Sequence, residues 1–262
     1  MNASEKVIVA LDCREDEALA LAQKVQGSAV WLKVGLTLYY SAGPSIIGAL
    51  KAMGYQVFAD LKLHDIPHQV RGAAASAVAA GADMLTVHAS GGMAMMQAAV
   101  EGARQAFEQR EQREQQLDRN SQQLNGKNQQ PSGGAKPILL AVTVLTSMDE
   151  ASLQTIGVGR DLTTQVNSLA QLAKQAGLDG VVASPLEATQ LRKLLGENFA
   201  IVTPGVRPAS SAPDDQSRTA TPAQAIANGA SHLVVGRPIT GAGDPRVAFE
   251  AIVDEIRRAQ HG

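Results

Sequence analysis

Asp60 and Lys62 stand two residues apart in the run D-L-K-L-H-D-I-P, and Asp65 follows three residues later. On an extended strand such a pair projects to one side, so a single strand end would offer a carboxylate and an ammonium to the same space. Lys33 in V-W-L-K-V-G sets a second ammonium into an apolar run, and Asp12 closes another, V-I-V-A-L-D. Charges placed at the ends of apolar strands are costly to bury unless they pair with one another or with a ligand. Taken singly, Asp65 reads as a helix cap ahead of Ile66-Pro67, and Lys33 as a side chain that snorkels to a rim. Taken together, Lys33, Asp60, Lys62 and Asp65 form an alternating charge array that capping and snorkelling explain poorly.

A second group of residues suits a phosphate. T-P-G-V-R-P at Thr203–Pro208 and V-V-G-R-P-I-T-G-A-G at Val234–Gly243 each combine glycine with arginine. Gly236 would let backbone N–H groups come close to an anion, while Arg207 and Arg237 offer planar donor forks. Turn chemistry alone also uses Gly and Pro, so the signal lies in the two loops together.

The elements that must position these groups follow from rhythm. Apolar, β-branched runs at Val7–Leu11, Val30–Val34, Gln56–Asp60, Met84–Val87, Ile138–Val144, Gly180–Ala183, Ala200–Thr203 and His232–Val235 read as strands. Most are continuous rather than alternating, as parallel strands covered on both faces require. Between them, Asp16–Val25, Ser45–Met53, His68–Ala80, Met93–Phe107, Asp161–Ala176, Pro185–Leu195, Thr221–Asn228 and Pro245–Arg258 have helical period. Gly54, Gly81, Gly177 and Gly229 supply stop signals. This alternation predicts a single-domain (β/α)8 TIM barrel over residues 1–262, since right-handed βα units close most simply that way. An open doubly wound sheet is the alternative, but no G-x-G-x-x-G follows the first strand. In a barrel the strand ends carry the chemistry, and here they read Asp12, Lys33, Asp60, His88, Thr146, Pro204 with Arg207, and Gly236-Arg237.

One segment breaks the rhythm. Residues 108–136 are polar and rich in Gln; the first half has the charge spacing to prolong the fourth helix, while the second cannot bury enough apolar surface to order itself. It is expected to be an insertion. Elsewhere, 45% hydrophobic and 18% charged residues over 262 positions allow a large core. Lys plus Arg at 23 against Asp plus Glu at 25, with 3% aromatics, argues against a nucleic-acid partner. One cysteine excludes a disulfide framework and a cysteine-rich zinc site. No signal peptide or spanning run is evident, so a cytoplasmic protein without membrane association is expected.

These residues resemble the orotidine 5′-phosphate decarboxylase family. D-L-K-L-H-D-I-P at Asp60–Pro67 is similar to its signature. A-L-D at Ala10–Asp12, L-K-V-G at Leu32–Gly35, V-H-A-S-G-G at Val87–Gly92, V-L-T-S at Val144–Ser147, T-P-G-V-R-P, D-D-Q-S-R at Asp214–Arg218 and V-V-G-R-P-I follow in family order. The resemblance spans the chain apart from 108–136. It implies decarboxylation of orotidine 5′-phosphate to UMP in pyrimidine biosynthesis, with no cofactor or metal, by a homodimer whose subunits share their sites. It implies that Lys62 protonates C6 of the pyrimidine, flanked by Asp60 and Asp65, with Lys33 completing the array and Asp65 coming from the neighbouring subunit. Asp12 and Lys33 would bind ribose hydroxyls, Thr146 the base, and Arg207, Gln216, Gly236 and Arg237 the phosphate, with Gln216 also reaching towards the pyrimidine. One departure stands out: the family commonly continues I-P-N-T, whereas this chain reads I-P-H-Q, which puts Gln69 where a threonine would bind ribose. Two rival readings are a magnesium-dependent keto-sugar-phosphate lyase, which would need an acidic ligand near Lys33, and a non-catalytic nucleotide-binding barrel.

Overall fold

Eight parallel strands close into a barrel in chain order: β1 (Val7–Leu11), β2 (Trp31–Val34), β3 (Gln56–Leu63), β4 (Met84–His88), β5 (Ile138–Val142), β6 (Gly180–Val182), β7 (Ala200–Thr203) and β8 (His232–Val235). This is a TIM barrel, as the alternation predicted. The computed structural model describes residues 1–125, 135–208 and 219–261. Around the barrel run α1 (Glu15–Val25), α2 (Leu36–Ala42), α3 (Ser45–Ala52), α4 (Pro67–Ala79), α5 (Gly92–Asn125) and α6 (Glu150–Thr155). They are followed by α7 (Leu162–Gln175), α8 (Ala188–Leu195), α9 (Pro222–Ala227), α10 (Arg237–Thr240) and α11 (Pro245–His261). No helix among the described residues is long and apolar enough to cross a membrane.

Two apolar layers hold the barrel. Ile8, Ala10, Trp31, Phe58, Met84, Leu140, Val202 and Val234 meet inside it. The opposite parity, including Val9, Leu11, Leu32 and Val34, packs in one cluster with helix residues such as Leu21, Ile46 and Phe249. Burying each large side chain contributes about 1.5–3 kcal/mol. Continuing the inner parity towards the C-terminal mouth gives Asp12 after Ala10, Lys33 after Trp31, Asp60 after Phe58 and Gly236 after Val234. The same two-residue period that fills the core therefore aims the charged groups into the mouth.

The helices follow local rules. In α7 the buried Val166, Leu169, Ala170 and Ala173 fall on one face, and the Asp161 side chain caps the start by accepting the Thr164 N–H at 2.8 Å. Thr221 and Gln224 form a reciprocal capping box on α9.

The floor of the barrel is stapled by side chains preceding even-numbered strands. Asp83 accepts the Val57 N–H at 2.8 Å, Asp179 the Leu139 N–H at 2.9 Å, and Ser231 the Ile201 N–H at 3.1 Å. Each satisfies the N–H of the second residue of the preceding strand, and Lys51, Lys136 or Arg192 binds the acceptor from outside.

The structure adds three short helices that periodicity does not announce. α2 carries L-T-L-Y-Y-S-A, whose aromatic residues favour strand, and it is bounded by Gly35 and by Gly43 at φ 73°. α6 and α10 span only 6 and 4 residues, too few for a helical period to show. β5 ends at Val142 rather than Val144, so Thr146 sits on the following loop. α5 continues past Phe107 to Asn125, as the charge spacing allowed. At 34 residues it is about 51 Å long, at 1.5 Å per residue. Gly102 lets it lie directly against the Arg71 carbonyl of α4, because a Cβ there would overlap that oxygen.

Candidate active site

At the barrel mouth the predicted charges form a continuous file. The Lys33 Nζ donates to Asp12 Oδ1 at 2.8 Å and lies 3.5 Å from Asp60 Oδ2, and the same Asp60 oxygen is 2.8 Å from Lys62 Nζ. Lys33 and Asp60 are buried, Lys62 is half-buried and Asp12 is exposed, so the file runs from the interior to solvent. Lys33 does not snorkel: its ammonium is buried within the file, between Asp12 and Asp60.

Burial alone would lower the Lys33 pKa, but the carboxylates of Asp60 and Asp12 outweigh it and hold the ammonium above its ordinary value. Burial would likewise raise Asp60; the Lys33 and Lys62 charges, with hydrogen bonds from Lys62 and Thr86, bring it below the usual carboxylate range. The site therefore holds a desolvated carboxylate, kept ionised by two ammonium groups. Beyond it, His88 lies with its ring 5.5 Å from that of His64. Burial first, then the nearby His64 and Lys62, lower the His88 pKa.

The Asp60–Lys62 pairing is not that of a regular strand. Ala59 pairs with Leu85 and Leu63 with Val87, so Asp60, Leu61 and Lys62 together face the single residue Thr86. Lys62 sits at φ 50°, the one non-glycine residue in the left-handed region among those described. Holding such a residue costs about 1–3 kcal/mol, which surrounding contacts must outweigh. Thr86 provides two of them, both through its hydroxyl, which accepts the Lys62 N–H at 2.9 Å and donates to Asp60 Oδ1 at 3.0 Å.

A cavity of about 1240 Å³ opens over the file. Asp12, Lys33, Asp60, Lys62, Thr146, Arg207, Gly236 and Arg237 all line it, which unites the charged strand ends with the two Gly/Arg loops. Asp65 and Gln69 do not. Asp65 is exposed, its carboxylate accepts the Ile66 N–H at 2.6 Å, and it lines a separate concavity of about 570 Å³ with His64, Pro67 and Ser90. Nor does Asp65 cap α4, whose N-cap is Ile66 without a side-chain bond, because the carboxylate is engaged one residue too early. Gln69 is exposed in the first turn of α4. Gln216, with the D-D-Q-S-R run, lies outside the described residues.

Two contributors were missed in the sequence. Thr86 is an ordinary β-branched residue within M-L-T-V-H, and only its interior parity marks it. Gly35 was noted only as part of L-K-V-G, yet a Cβ there would sit 2.7 Å from Asp12 Oδ1 and 2.8 Å from Lys33 Nζ. Its position directly after the strand bearing Lys33 was the available signal.

Comparison with known proteins places the chain in a family. Residues 5–252 match the Orotidine 5′-phosphate decarboxylase / HUMPS family. The orotidine 5′-phosphate decarboxylase of Moorella thermoacetica is 46% identical over 258 residues, covering 98% of this chain and 94% of its own. That of Nitrosococcus oceani is 44% identical over 252 residues, covering 96% of this chain and 97% of its own. The crystal structure of orotidine 5′-phosphate decarboxylase from Lactobacillus acidophilus superposes with a TM-score of 0.77 at 38% identity, covering 96% of this chain and 99% of that one. A barrel that carries the family's motifs in order, matched along nearly its whole length, belongs to the orotidine 5′-phosphate decarboxylase / HUMPS family.

Proposed function

We propose that this chain decarboxylates orotidine 5′-phosphate to UMP, the pyrimidine-biosynthetic reaction for which its relatives are named, using the charged file at the barrel mouth. The observation that carries the assignment of roles is the buried Asp60 carboxylate bridged to Lys33 and Lys62 at the base of the cavity. Breaking the bond from C6 to the carboxylate releases neutral carbon dioxide and leaves an electron pair at C6. The ring cannot delocalise that pair well, so the protein must favour the charge distribution of the transition state over that of the ground state. A substrate carboxylate about 4 Å from Asp60 would be repelled by roughly 4 kcal/mol at an effective dielectric of 20, and the repulsion fades as carbon dioxide leaves. Over the same step the attraction of the Lys62 ammonium for C6 grows. Lys62 Nζ then gives a proton to C6 and becomes neutral.

The remaining roles follow the cavity. Asp12 and Lys33 bind ribose hydroxyls, Thr146 meets the base, and Arg207, Gly236, Arg237 and Gln216 grip the phosphate, with Gln216 also reaching towards the pyrimidine. Phosphate binding then helps to hold the pyrimidine in an unfavourable field, so the phosphate loops contribute to rate. Asp65, turned out of its own cavity into an exposed concavity, acts in the site of a second copy, with Gln69 reaching the ribose from the same side. The working unit is thus a homodimer, and its setting is cytoplasmic. No metal takes part: Asp12 and Asp60 are each paired with an ammonium, so a divalent cation would have to displace Lys33 or Lys62. Residues 108–136 are read as an insertion, of which 126–134 lie outside the described residues. α5 leaves the mouth at Gly92, and by Arg110 it is level with Val78 near the end of α4, so the remainder projects from the opposite face.

An absorbance assay on orotidine 5′-phosphate, with and without exhaustive chelation, tests the reading. Turnover unaffected by chelator and abolished in Lys62→Ala is expected. Loss on chelation with recovery on magnesium would favour the lyase instead, and no turnover in the wild-type chain would favour a non-catalytic barrel.

A further inference from the structure

We infer that Thr86 is a positioning residue for the reaction: its hydroxyl fixes the Asp60 carboxylate and the Lys62 backbone relative to each other. The inference rests on the reading above that Lys62 is the proton donor.

The β3–β4 ladder explains why a positioning residue is needed. Between the pairs Ala59–Leu85 and Leu63–Val87, β3 carries Asp60, Leu61 and Lys62 while β4 carries only Thr86. Regular ladder hydrogen bonds cannot serve three residues opposite one, so this stretch lacks the bonds that hold the rest of the strand. It is also the stretch that bears both reacting charges and the left-handed backbone at Lys62.

Thr86 replaces the missing ladder with one atom. Its side chain is fully buried and does not line the cavity, so it does not meet a bound substrate. A hydroxyl has one proton and two lone pairs. Here the proton goes to Asp60 Oδ1 and a lone pair accepts the Lys62 N–H, while the other Asp60 oxygen takes the two ammonium groups. Every oxygen of the carboxylate is thereby engaged from a fixed direction. Without the hydroxyl, a buried carboxylate oxygen and a part-buried N–H would both lose their partner, and the strained turn at Lys62 would lose its tie. Either would relax by moving, and both movements carry Lys62 Nζ away from its place. Binding elsewhere in the cavity, at the phosphate loops and the base, would be unaffected. The chemical step should therefore suffer and substrate affinity should not.

The test compares Thr86→Val, which keeps the shape and removes the hydroxyl, with Thr86→Ser, which keeps the hydroxyl and removes a methyl. Steady-state turnover of orotidine 5′-phosphate is measured alongside thermal melting of each full-length protein. Thr86→Val is expected to lower kcat about ten- to a hundredfold with KM within about threefold, and Thr86→Ser to return kcat to within about threefold of wild type. If the valine variant does not melt cooperatively, Thr86→Ala takes its place, since it puts no methyl against the carboxylate. A folded variant without the hydroxyl whose kcat stays within about twofold of wild type would overturn the inference. So would a loss confined to KM, or an equal kcat loss in Thr86→Ser, which would make side-chain shape the cause. Lys62→Ala measured in parallel separates the two levels: full turnover in that variant would overturn the role of Lys62, whatever Thr86 does.

Discussion

Lys62 and Asp65 are three residues apart, yet their side chains serve different concavities: Lys62 lines the cavity over the barrel mouth, and Asp65 lines the shallow one beside His64 and Ser90. If both act in one reaction, they come from different chains. Lys62→Ala and Asp65→Asn should each be severely impaired as pure proteins. Mixing equal amounts and allowing subunit exchange makes about half the dimers mixed, each with one intact site and one doubly damaged, so about a quarter of wild-type activity should return. With exchange verified by mass, activity that stays at the level of the parents would place Asp65 in its own chain's site.

Gly35 offers a test of the ribose contacts proposed for Asp12 and Lys33. Its backbone, at φ −88° and ψ −178°, is open to any residue, so alanine brings no backbone strain. The added Cβ would instead press on Asp12 Oδ1 and Lys33 Nζ, the paired ends of two side chains. Gly35→Ala is expected to lower folding stability by about 1–3 kcal/mol, because the ammonium it crowds is buried. Because it displaces the ion pair, kcat/KM should fall about tenfold or more. Denaturant unfolding and steady-state kinetics on the same preparation read both, and wild-type kinetics would show that the pair does not contact substrate.

Arg237 stands at the rim, where the two Gly/Arg loops meet the cavity. Removing a charge-assisted hydrogen bond costs about 1.5–3 kcal/mol, so Arg237→Ala should lower kcat/KM for orotidine 5′-phosphate about ten- to a hundredfold. The phosphate-free nucleoside orotidine should be handled almost as before. Equal losses on the two substrates would remove Arg237 from the phosphate site.

His232 sets a pH dependence of stability unrelated to the chemistry. Its ring is buried edge-on to Trp31, with centroids 5.9 Å apart, and Nδ1 has no partner among the described residues. Burial, with a smaller contribution from the Lys6 charge, lowers its pKa from the ordinary 6.5 to about 4. The folded state thus excludes a proton that the unfolded chain accepts below pH 6.5. Stability from this group is complete above that pH and is lost as pH falls towards 4, by about 3 kcal/mol in all at 1.36 kcal/mol per pH unit. Subtracting the pH profile of His232→Leu from that of wild type, by denaturant unfolding between pH 7 and 4, isolates it from His88. Parallel profiles would show that the buried ring gains a proton without penalty.

Local periodicity in the sequence determined most of the architecture and half of the site. The apolar runs placed all eight strands, because a parallel strand covered on both faces must be apolar along its length. The two-residue period then put Asp12, Lys33 and Asp60 on the inner parity without reference to any other strand. Periodicity is a property of one segment at a time, and what it missed depends on pairs of segments. The three-to-one register at Thr86 arises between strands about twenty-five residues apart, and nothing in M-L-T-V-H announces it. The clearance at Gly35 exists only because Asp12 arrives from β1 to meet Lys33 on β2. The outward turn of Asp65 is decided by its bond to the Ile66 N–H at the entrance to α4, after the extended strand has ended. Residue types and spacing chose the groups that could react; strand register and loop direction, which are set by contacts between distant segments, decided which of them share a cavity.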